Sequence, residues 1–90
     1  MNSLENLSDL ELGMLLVSAL KLKRKLKVAS EKPCSLDVDI CGIAHASLVN
    51  DGGLYVAAAS VSGAIVTRVA TEPEDAVEAL SGMLMKRIGG

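Results

Sequence analysis

His45 is the single histidine of the chain, and Asp37, Asp39 and Cys41 precede it at intervals of two residues. An imidazole beside two carboxylates and a thiol is raw material for metal binding or for acid–base work. The spacing argues against both. Leu36–Leu48 alternates, with Leu36, Val38, Ile40, Gly42, Ala44, Ala46 and Leu48 on one side. Asp37, Asp39, Cys41, Ile43, His45 and Ser47 fall on the other. That pattern predicts one extended strand, with a dry face and a wetter one. Residues two apart on a strand are about 6.5–7 Å apart, so a site would need ligands arriving from other elements. No other predicted element carries His or Cys. His45 therefore reads as an ordinary half-exposed histidine. No catalytic, cofactor-binding or metal-ligating residue is expected, and the chain is not expected to be an enzyme.

Other chemical signals are equally sparse. Cys34 and Cys41 would lie about 23 Å apart along one strand, too far for a disulfide, and they lack zinc-site spacing. Gly52-Gly53 precedes a predicted strand, so it is not a phosphate loop, and no serine sits in a nucleophile elbow. The run Lys21, Lys23, Arg24, Lys25 and Lys27 could meet a phosphate backbone or an acidic partner. Its plainer reading is a solvated helix face. Tyr55 is the only aromatic residue, which leaves nothing for stacking successive bases.

The elements that would carry these residues are better defined. Ser8-Asp9-Leu10-Glu11 is a capping box, predicting a helix from about Asp9 to Ala29 ahead of Pro33. Leu12, Leu15, Ala19, Leu22, Leu26 and Ala29 are spaced three and four apart, a coiled-coil-like seam. The Asn50-Asp51-Gly52-Gly53 segment predicts a hairpin turn. Leu54–Ala70 would span roughly 56 Å as one strand, so Ser62-Gly63 is the expected break between strands near Leu54–Ser60 and Ala64–Ala70. Small residues at Ala57–Ser60 suggest close packing by a helix. Thr71-Glu72-Pro73-Glu74 reads as a second capping box. The helix after it buries Val77, Leu80, Leu84 and Ile88 and stops at Gly89-Gly90.

Ninety residues make one domain, with 1–7 expected as a flexible start. Half of them are hydrophobic and the mean hydropathy is +0.40, more apolar material than so small an interior absorbs. The excess predicts a homodimer or higher oligomer, with Leu12, Leu15, Ala19, Leu22 and Leu26 as the interface as well as core. The cationic half of that helix looks the more exposed. Leu22→Asp or Leu26→Asp is therefore expected to weaken association more than folding. The net charge of −2 gives no general affinity for nucleic acid, although six of nine basic residues lie in Lys21–Lys32. No secretory leader or membrane span is read in the chain, and a reduced, cytoplasmic protein is expected.

Asp51–Leu80 resembles the HicB antitoxin family. The likeness rests on the turn Asp51-Gly52-Gly53, the strand pair Tyr55-Val56, and a turn glycine, Gly63, eight residues after the tyrosine. Thr71 and Asp75-Ala76 then open a helix, with Ala79-Leu80 following. Where the family carries Pro-x-x-Pro-Gly, this chain has Ser60-Val61-Ser62-Gly63, and a long helix precedes its first strand. The resemblance implies a ribonuclease-H-like sheet without catalytic acids that binds a partner protein and self-associates. The predicted order α-β-β-β-α also resembles a double-stranded-RNA-binding domain. That family's lysine cluster at the last helix is replaced here by Glu72, Glu74 and Asp75.

The expected fold is α+β, a three-stranded antiparallel sheet with two helices packed on one face. The expected function is a small non-catalytic, self-associating protein-binding module, regulatory or inhibitory, with no cofactor. The alternative is a nucleic-acid binder using Lys21–Lys27. A third reading is a binder of a small anionic ligand at an oligomer interface.

Overall fold

The computed structural model describes residues 7–29 and 33–89. Most of the expected loose start at 1–7 falls outside them, as do Lys32 and the terminal Gly90. The elements are α1 (Asp9–Val28), β1 (Ser35–Ile40), β2 (Ala44–Asp51), β3 (Leu54–Val61), β4 (Ala64–Ala70) and α2 (Pro73–Gly89). The four strands form one antiparallel meander in the order β1-β2-β3-β4.

α1 starts where its sequence stores the cap. The Ser8 hydroxyl accepts from the Glu11 amide at 3.2 Å, and Glu11 Oε1 accepts from the Ser8 amide at 3.0 Å. Two of the otherwise unpaired first-turn donors are thereby satisfied. The start of α2 departs from expectation. The Ala76 amide donates to the Glu72 carbonyl at 3.1 Å, and the helix runs from Pro73. Glu72 therefore stands at the entry position and Pro73 at the first helical one, where a missing N–H costs nothing. The box read from Thr71 is one residue early.

The expected single strand over Leu36–Leu48 is corrected to a hairpin, so the sheet has four strands and not three. Cys41 and Gly42 turn the chain with φ of 54° and 71°. Asp39 Oδ2 accepts from the Gly42 amide at 2.8 Å, and the Ile43 amide donates to the Ile40 carbonyl, also at 2.8 Å. The order α-β-β-β-β-α departs from that of the RNA-binding domain. The break at Ser62-Gly63 lies where it was expected, both residues having positive φ (51° and 83°), as a two-residue hairpin turn requires.

Both helices cover one face of the sheet. Ala44, Ala46, Leu48, Ala57, Ala59 and Val61 point into the core, against Leu15, Ala19, Leu22 and Leu26 of α1 and Ala76, Val77, Leu80 and Leu84 of α2. The alanines let the helices settle close to the strands. Ser18 and Ser81 are also buried, and each returns its hydroxyl to its own helix, at 2.7 Å to the Leu15 carbonyl and 3.3 Å to that of Glu78. The buried part of the α1 seam is thus packed within the single chain, and Leu12 packs against the same core half-buried. Leu15, Ala19 and Leu22 keep no surface for a second copy.

No helix among the described residues is long and apolar enough to cross a membrane. Cys34 and Cys41 stand at opposite ends of β1, both exposed and free.

Candidate functional site

The sequence singles out three regions, and the fold treats each differently. The basic run occupies the last two turns of α1, where a period of 3.6 residues distributes it around the helix. Lys23 turns towards α2 and its Nζ lies 2.6 Å from Glu78 Oε2. Lys25 turns the other way, and its Nζ donates to the Asp37 carbonyl of β1 at 2.8 Å. Lys21, Arg24 and Lys27 are exposed. Five cations in sequence therefore do not make one cationic strip. Between α1 and α2 lies a groove of about 380 Å³, with Leu26, Val77 and Ala29 as apolar lining. Lys23 and Lys27 line it together with Glu74 and Glu78. Two carboxylates there oppose an anionic guest.

The second region is the His45 corner. Folding Leu36–Leu48 into a hairpin sets Asp39 directly across from His45 and brings Asp37 in diagonally. His45 Nε2 lies 3.0 Å from Asp37 Oδ1, with the imidazole and carboxylate both open to water. The convergence missing from a single strand is thus partly supplied by tertiary structure. It stops at a pair: Asp39 is engaged with the Gly42 amide, and no group of three or more metal-ligating side chains occurs among the described residues. The pair ties the edge strand to its neighbour, as cross-strand pairs do.

The third region is the uncovered face of the sheet, which sequence reading did not single out. Register places Val49, Val56 and Val69 side by side across β2, β3 and β4. Ser47, Ala58 and Thr67 form the next row, and His45, Ser60 and Ile65 the one beyond. Leu54 sits above the valines, opposite Asp51. Val49 and Leu54 are each 43% exposed, Val69 54% and Ile65 64%. A usable signal was present in the chain. LYVAAAS and AIVTRVA carry apolar residues at both parities, the mark of strands covered on two faces. The single chain covers only one.

Tyr55 is buried on the helix side of β3, so the only aromatic ring is withdrawn from the surface.

No family model matches the chain, and no curated protein or solved structure matches it either.

Proposed function

We propose that this protein is a small non-catalytic, self-associating protein-binding module with a regulatory or inhibitory role, in the manner of a HicB-like antitoxin relative or a small phage or bacterial accessory protein. The observation that carries this reading is the bare apolar face of the sheet. An exposed patch of Val49, Leu54, Val69 and Ile65 around the half-buried Val56, on so small a domain, marks a surface made to be covered by protein. The resemblance of Asp51–Leu80 to HicB antitoxins supports the same class, because those residues build the β2–β3 turn, β3, β4 and the first turns of α2. The division of the basic run weighs against the nucleic-acid alternative. Lys23 and Lys25 already have intramolecular partners, which leaves Lys21, Arg24 and Lys27 as the exposed remainder.

Sedimentation and a mobility-shift titration test the reading together. At tens of micromolar the protein should sediment at no less than twice 9.3 kDa. At about 150 mM salt duplex RNA and DNA should remain unshifted, because three or so phosphate contacts give weak, salt-sensitive affinity. A clean 9.3 kDa species removes self-association. Tight binding to nucleic acid, lost when Lys21, Arg24 and Lys27 become Glu, installs the alternative.

A further inference from the structure

We propose that the covering of the open sheet face is a second copy of this chain, packed face to face so that β3 lies over β3 and the helices remain outside. The inference rests on the self-associating reading above and specifies its surface. Three observations carry it.

The sheet edges are guarded. The Asn50 amide donates to the Cys34 carbonyl, which makes even-numbered pairs of the β1–β2 ladder the hydrogen-bonded ones. The Asp37 carbonyl therefore faces the open edge, and Lys25 Nζ occupies it. On β4 the two-residue turn makes Val61 and Ala64 a bonded pair, so Thr67 faces outward. There the Arg68 guanidinium donates to the Thr67 carbonyl at 2.7 Å. A cation on the outward carbonyl at the middle of each edge strand opposes strand addition. The face carries no such guard.

The covered area approaches what a dimer needs. The three strands that face each other, β2, β3 and β4, about 4.8 Å apart and about seven residues long, give a plan area of about 330 Å². Side-chain relief raises the accessible area towards the roughly 600 Å² per partner at the lower end of stable interfaces.

The face is also self-complementary. A two-fold axis along β3 lays Val56 over Val56 and Val49 over Val69 of the other copy, with small Ala58 between Ser47 and Thr67 allowing close approach. The overhanging β1 then carries Asp37 and Asp39 at the wet rim. Lys and Arg are absent from the face among the described residues. A valine row beside small polar residues, with carboxylates at the rim, fits the mixed apolar and polar make-up of a protein interface.

The test is a charge swap at the axis, read by sedimentation velocity at tens of micromolar. Wild type should be dimeric. Val56→Lys and Val56→Glu should each run as folded monomers, and an equimolar mixture should regain the dimer, a rescue that misfolding cannot imitate. Val69→Lys, at a more exposed position, repeats the dissociation should both Val56 variants fail to fold. Leu10→Lys, on the far side of the molecule, should leave the dimer intact. A dimer that persists in Val56→Lys, Val56→Glu and Val69→Lys overturns this interface while self-association stands. A monomeric wild type overturns both, including one that instead carries a different protein on this face.

Discussion

His45 Nε2 and Asp37 Oδ1 meet at 3.0 Å across the β1–β2 hairpin, on the solvent side of the sheet. Both groups are well exposed, and exposed pairs contribute little, about 0–1 kcal/mol. His45→Ala should accordingly lower the stability of the single chain by less than about 1 kcal/mol. Thermal melts in the Val56→Lys background check it, and a larger loss would mean that the pair does more than tie β1 to β2.

Leu22 is fully buried between α1 and the sheet. Leu22→Ala should cost about 2–5 kcal/mol, and Leu22→Asp should leave no folded protein to associate, because it buries an unpaired carboxylate. This reverses the expectation that an aspartate there weakens association first. Urea melts followed by circular dichroism decide it: a folded monomer of Leu22→Asp would place the residue at an interface.

Gly63 has a φ of 83° in the turn between β3 and β4. A β-branched side chain is strained there, so Gly63→Val should destabilise by roughly 1–3 kcal/mol. An unchanged melting temperature would mean that the turn can adopt another form.

Glu11 links the start of α1 to the β3–β4 turn. A hydrogen bond from Ser62, reinforced by those from Ser8, holds its carboxyl below the usual glutamate range against a small opposing effect of burial. A carboxyl whose folded value is depressed contributes its full stability above the unfolded value and loses it as pH falls through the folded value. Wild type should therefore lose more stability on acidification below the ordinary glutamate range than Glu11→Gln. Paired denaturant melts at neutral and acidic pH measure the difference, and parallel curves would contradict it.

Ser8→Ala removes the cap oxygen of the same turn and should cost about 1 kcal/mol, visible as faster amide exchange at Glu11. Equal exchange in both proteins would show that another group caps α1.

Local chemistry was legible in the chain wherever near neighbours decide it. The Ser8–Glu11 box, the bounds of α1 and the turn at Ser62-Gly63 depend on residues a few positions apart, and all three stand as read. The β1–β2 hairpin was not legible from alternation. Ile40 pairs with Ala44 across three loop residues, so even-numbered positions keep the same face on both sides of the turn. Period two passes through such a loop unchanged. Length was the signal that remained: thirteen residues would make a strand of about 43 Å, beyond the usual span, and Gly42 interrupts the apolar row at its middle. The fate of the α1 seam lay still further from the sequence. Spacing establishes that Leu15, Ala19, Leu22 and Leu26 share a stripe, but which surface covers a stripe depends on where the other elements lie. Here α2 and the sheet cover it from within the chain, while exposed apolar side chains remain on the open sheet face at Val49 and Val69, on α1 at Leu10 and Val17, and on α2 at Ile88, which was expected in the core stripe.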